Sequence, residues 1–113
     1  MKKMKTLKMN YEFKNVLENG RYFVENQIIV YIIKNNYKYN RVGIAISSKL
    51  CKAVQRNHLK RLIRESYKKF ETSLKKSYDI VIIWNKRTQT GDASYNEIYN
   101  NMKKSFNKAG ILD

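Results

Sequence analysis

A chain of 113 residues can form one core, and 42% hydrophobic residues with nine Tyr, four Phe and one Trp are too apolar and aromatic for a disordered basic tail. Twenty-four Lys and Arg against nine Asp and Glu give a net charge of +15, which opposes compaction until a polyanion or counterions screen it. Nucleic acid is the expected partner, and a single Cys with a single His excludes both an internal disulfide and a His/Cys metal cluster.

No apolar run is long enough to span a membrane. The opening MKKMKTLKMN has the charge of a signal peptide's first segment but no apolar segment behind it, so the expected location is the cytoplasm. With no Pro, four Gly and no repeat or linker, residues 1–113 are expected to form one RNA-binding domain.

In chain order, NYEFKNVLENG sets Phe13, Val16 and Leu17 at helical spacing, with Asn10 placed to cap the start and Gly20 at the C′ position. RYFVE and QIIVYII read as strands, the second apolar on both faces, and NNYKYN reads as a turn. RVGIAIS alternates bulky Val42, Ile44 and Ile46 with small Gly43 and Ala45. A helix follows, in which Leu59, Leu62, Ile63, Ser66, Tyr67 and Phe70 form one stripe expected to be buried. YDIVIIW is a buried strand and NKRTQTGD a polar, basic loop. Ser94 and Glu97 make an S-x-x-E capping box, Ile98, Met102 and Phe106 repeat at four-residue steps, and Gly110 ends the pattern. The expected fold is α+β, an αβββαβα sandwich with helices packed on a four-stranded sheet.

The basic helix, KAVQRNHLKRLIRESYKK, decides the function class. Arg56, Lys60, Arg64 and Lys68 stand four apart with Arg61 beside them and Asn57 within the ridge, and only Glu65 and Glu71 oppose them. A purely solvated helix gains a few tenths of a kcal/mol per pair by interleaving acids at i±4, and this one forgoes most of that gain. Arg's planar donor fork suits phosphate. Charge alone leaves the nucleic acid unidentified and supports equally a ribosomal or other structured-RNA-binding protein with no role in cleavage.

SSKLCKAVQRNHLKRLIRE resembles the signature region of the bacterial ribonuclease P protein subunit. Ser47, Lys49, Ala53, Val54, Arg56, Asn57, Lys60, Arg61 and Arg64 each match that motif, the strand VGIAIS precedes it at the expected distance, and YEFKNVLENGR and YDIVII extend the likeness over nearly the whole chain. Three positions depart from it. Cys51 stands where Gly is usual, Ser48 where Lys is common, and His58 where an Arg would complete Arg-Asn-Arg.

The resemblance implies a left-handed βαβ crossover, a fold like one domain of a small-subunit ribosomal protein, and a basic surface facing a catalytic RNA through Lys49, Lys52, Arg56, Asn57, Lys60, Arg61, Arg64 and Lys68. It implies one protein per ribonuclease P RNA, precursor tRNA as substrate, and Mg²⁺ held largely by RNA. It also implies that the single-stranded 5′ leader lies in a groove between sheet and first helix. Phe13 and Tyr31 match leader-contact positions there, and Leu17 stands where a second aromatic is usual.

From the residues alone, Phe13 and Tyr31 offer faces on which unpaired bases can stack, while Phe13 and Leu17 at i, i+4 serve core packing equally well. The basic ridge and the leader surface are expected to be separate. Asp79, Asp92 and Asp113 are scattered, and neither a carboxylate set nor a Cys51/His58 pair assembles a nucleolytic site, so no catalytic residue and no metal ligand are expected in the protein.

Overall fold

The computed structural model describes residues 4–113, so the first three residues of the charged opening lie outside the described residues. Helix α1 (Asn10–Asn19) is followed by strands β1 (Arg21–Val24), β2 (Ile28–Lys34) and β3 (Arg41–Ala45), helix α2 (Ala53–Phe70), strand β4 (Tyr78–Trp84) and helix α3 (Tyr95–Ala109). This is the order expected from the sequence. The strands lie in the order β1-β2-β4-β3, with β1/β2 and β2/β4 antiparallel and β3/β4 parallel. Helix α2 is the crossover that a parallel pair requires.

Strand β4 is paired on both sides and apolar on both faces, so one layer of helices cannot bury it. Ile80 and Ile82 pack with Ile28, Val30, Ile32 and Val42 beneath Leu59, Ile63, Tyr67 and Phe70 of α2 and Ile98, Met102 and Phe106 of α3. Phe106 meets Tyr67 and Phe70 edge to face, with ring centroids 6.3 and 5.5 Å apart. Each such side chain, fully buried, contributes about 1.5–3 kcal/mol. Residues of the opposite parity, led by Val81, face α1, where Leu7 and Val16 are buried while Phe13, Tyr31, Ile33 and Ile83 are partly covered. One short helix covers this second face incompletely.

Two expected helix ends differ in detail. Met9, not Asn10, is the N-cap of α1, because the Glu12 carboxylate reaches back to accept the N–H groups of Met9 at 2.8 Å and Lys8 at 2.9 Å. Gly20 ends α1 with φ −81°, not in the left-handed region. It is glycine because a Cβ there would lie 2.6 Å from the Val16 carbonyl oxygen and 2.9 Å from that of Ile32. At α3 the Ser94 cap and a left-handed Gly110 with φ 75° are as expected, although the Glu97 carboxylate accepts from Asn26 at 2.9 Å rather than closing the box.

An ion-paired seam fixes α1 on the sheet. Arg41, at the start of β3, donates to both oxygens of Asp79 on β4 at 2.9 and 2.7 Å and to Glu12 of α1 at 2.6 Å. Asn35 also donates to Asp79, at 2.8 Å. These groups are mostly buried, and the Asp79 hydrogen bonds above all hold Arg41's proton more tightly than usual. Glu12 is held below the ordinary carboxylate value by the Met9 and Lys8 N–H groups first and by Arg41 as well.

Two outcomes follow from this packing. Leu62 of the expected stripe is only partly covered, whereas Leu59 and Ile63 are fully buried. Ile63→Ala is therefore expected to cost about 2–5 kcal/mol in chemical denaturation and Leu62→Ala clearly less. For Glu12, a depressed folded pKa means stability that is fully present above the ordinary value of 4.5 and lost as pH falls through the folded value. Stability profiles of the wild type and Glu12→Gln should run apart at neutral pH and converge in acid, and a gap that stays constant to the lowest pH would contradict the Glu12 contribution.

Candidate RNA interface

Four-residue steps along a helix advance about 40° beyond a full turn, so the basic ridge winds outward as it runs. Arg56 and Lys60 are partly buried beside the core stripe, and Arg64 and Lys68 are exposed, as are Asn57 and Arg61. Lys49 and Lys52, just before α2, are exposed too. Arg56 has a second task, since its Nη1 donates to the Cys51 carbonyl at 3.0 Å and ties the preceding turn to the helix. Among the described residues, the four ion pairs are Lys14 with Glu18, Arg41 with Glu12 and Asp79, and Lys108 with Glu25. None uses a residue of α2, so its cations are held in no ion pair among the described residues.

The ridge meets the second sheet face at its edge. Met4, Thr6, Leu7, Phe13, Val42, Gly43, Ile44, Lys60 and Arg64 line an open cleft of about 190 Å³. The segment Lys5 to Leu7 runs along β3, with Leu7 N–H donating to Val42 and Val42 N–H to Lys5, both at 3.0 Å, and it forms one wall. Phe13 forms another. Its ring lies so close over Gly43 that a Cβ there would be 2.5 Å from the ring, which accounts for the bare side of β3. Phe13 thus packs against the second core cluster and lines the cleft at once.

Tyr31 and Leu17 lie elsewhere on the same side of the sheet. Tyr31 is the register partner of Tyr22, their rings 5.7 Å apart, and Tyr22 is 64% exposed. Leu17 points away from the core and is exposed. Neither lines the cleft with Phe13; Lys60 and Arg64 do. Two cations of the ridge and the aromatic of α1 thus share one cleft, so the ridge and the expected leader surface adjoin in the fold. Sequence reasoning missed Tyr22, although its alternation with Phe23 in β1 assigns it to the Tyr31 face. Lys68 turns the other way and lines a shallow depression of about 470 Å³ with Glu65, Lys69 and Tyr95.

The motif departures are accommodated. Ser77 is the one non-glycine residue with positive φ among the described residues, so Cys51 is not forced into the left-handed region. His58 is exposed on α2. Among the described residues no three His, Cys, Asp or Glu side chains converge as a metal site. Of the carboxylates, Asp79 and Glu12 are engaged by Arg41 and Glu25 by Lys108.

Residues 1–110 match the family model described as Ribonuclease P. The chain is 37% identical over 108 residues to the ribonuclease P protein component of Clostridium botulinum, covering 95% of this chain and 96% of that one. It is 39% identical to that of Clostridium acetobutylicum, covering 94% and 89%. The Staphylococcus aureus RNase P protein structure superposes with a TM-score of 0.83 at 28% identity over 98% of this chain and 100% of that one. The Thermotoga maritima protein shares the fold, with a TM-score of 0.81 at 24% identity over 92% and 96%. The relatives and the family model together set aside a ribosomal protein: the chain belongs to the bacterial ribonuclease P protein family, components of the endoribonuclease that matures the 5′ end of tRNA.

Proposed function

We propose that the chain acts as the non-catalytic subunit, binding ribonuclease P RNA with the α2 ridge and the precursor-tRNA 5′ leader with the cleft and the adjoining sheet face, one protein to each RNA. The observation that carries this reading is the cleft that Phe13, lying over Gly43, lines together with Lys60 and Arg64. A single strand needs cations for its phosphates and an aromatic face for a base, and recognition of that kind is independent of sequence. Leader sequences vary from one tRNA to another, so such tolerance suits this substrate. Tyr31 and Tyr22 extend the aromatic surface beyond α1, while Lys49, Lys52, Asn57, Arg61 and Lys68 are left on the outer side of the chain for structured RNA.

The donor set argues that magnesium is held by the RNA. Metal-assisted phosphodiester cleavage needs converging oxygen ligands, and Asp79 and Glu12 are committed to Arg41, where they hold the fold together. The protein's own contribution is to bind, to orient the leader, and to offset phosphate repulsion between substrate and catalytic RNA.

Two experiments test this. Added to ribonuclease P RNA, the protein should lower the magnesium concentration required for precursor-tRNA cleavage, and rigorously RNA-free protein should cleave nothing. Cleavage that follows the protein through purification without RNA would refute a non-catalytic role. In the second, Lys60→Ala and Arg64→Ala should each weaken holoenzyme binding to leader-bearing substrate more than to mature tRNA. Each should also reduce the dependence of log K on log salt by about one unit, with little change in melting temperature. Arg56→Ala should flatten the salt slope for catalytic-RNA binding and in addition lower the melting temperature, because it frees the Cys51 carbonyl.

A further inference from the structure

The turn between β2 and β3 carries two tyrosines that the core does not use. Tyr37 is 45% and Tyr39 39% exposed, and their rings stack 5.2 Å apart at 27°. A turn needs no aromatic side chain, since Asn, Asp, Ser and Gly make turns on their own. This one is held rigidly. Asn35 accepts the Tyr37 N–H at 2.8 Å and donates to the Tyr39 carbonyl at 3.3 Å, and Ser77 donates to the Tyr37 carbonyl.

The stack is closed at one end and open at the other. Arg41 lies 4.6 Å from the Tyr37 ring centre and is locked there by Asp79 and Glu12. At the far end the exposed Lys5 ammonium rests 5.5 Å from the Tyr39 ring centre. Among the described residues neither Lys5 nor Lys38 forms an ion pair. A long, solvated lysine leaves an aromatic face at little cost, because an exposed cation–π contact is weak. Once displaced, it stands beside the ring with its charge free for a phosphate.

The platform adjoins the cleft. Lys5 is hydrogen-bonded to Val42, and the next two residues, Thr6 and Leu7, line the cleft wall. We propose that the Tyr37/Tyr39 stack with Lys5 and Lys38 is a nucleotide subsite, in which an unpaired base of the strand occupying the cleft stacks on Tyr39 while Lys5 moves to its phosphate. This rests on the reading of the cleft as a leader site and extends that site by a platform on a different element.

The test uses reconstituted holoenzyme and precursor tRNAs whose leaders are lengthened one nucleotide at a time, each with a non-cleavable linkage at the processing site. Wild type should gain affinity over a range of leader lengths. Tyr39→Leu should lose the gain over one interval of that range, by about 5- to 100-fold, and Tyr31→Leu over a different interval. Tyr39→Phe should restore the gain, because stacking needs the ring and not the hydroxyl, and the melting temperatures of both Tyr39 variants should match wild type. A Tyr39→Leu curve superimposable on wild type, with Tyr31→Leu still impaired, would overturn the subsite and leave the cleft reading standing. Wild-type affinity independent of leader length would overturn both.

Discussion

Strand β4 is hydrogen-bonded to a neighbour on each side and apolar above and below, and the need to cover both faces organises the other elements around it. Water must be excluded from Ile80 and Ile82 on one face and from Val81 on the other. Two long helices, α2 and α3, close the first face. On the second there is one helix of ten residues, and it cannot reach across four strands. The uncovered remainder is the surface on which Tyr22, Tyr31 and the cleft beside Phe13 lie. The face proposed for the leader is thus the part of the sheet that the fold leaves unfinished.

An incompletely packed helix needs another restraint, and Arg41 supplies it. Its guanidinium satisfies a buried Asp79, reaches Glu12 in the first turn of α1, and lies over Tyr37 of the turn between β2 and β3. Removing one partner from such a seam leaves a buried charge without compensation, which typically costs about 3–5 kcal/mol. Because Phe13 follows Glu12 directly, the same ion pair that fixes α1 also fixes one wall of the cleft. Fold stability and site geometry are coupled through one side chain.

Electrostatics then separates what holds the protein together from what it presents. Asp79, the best-buried carboxylate, and Glu12 are consumed by Arg41, and the ridge on α2 forms no ion pair among the described residues. Such a surface is costly for the free protein and is stabilised when condensed counterions on a polyanion are released. The outward winding of the ridge divides its cations, with Lys60 and Arg64 turned to the cleft and Lys68 to the far side.

Much of this was legible in the residues because it depends on short-range periodicity. Alternation in RVGIAIS, the four-residue recurrence of Ile98, Met102 and Phe106, and the unneutralised run from Arg56 to Lys68 each read out a local geometry, and all three elements formed where expected. The motif around Arg56, Asn57 and Lys60 pointed to the family for the same reason, since these residues lie on one helix. Other features depend on residues far apart in sequence, and for these no local pattern carries a signal. Gly20 looked like a helix-ending glycine and is one because carbonyls of both Val16 and, from β2, Ile32 crowd it, and Gly43 is bare because Phe13, thirty positions earlier, lies over it. Asp79 looked like a stray carboxylate and is the anchor of the Arg41 seam. The sequence by itself determined which elements form and that one helix presents uncompensated positive charge. Only the tertiary structure decided that α1 on one face of the sheet and α2 on the other reach the same β3 edge, so that an aromatic from the first element and cations from the fifth share one cleft, because that juxtaposition is set by the packing of a whole sheet and by no stretch of chain alone.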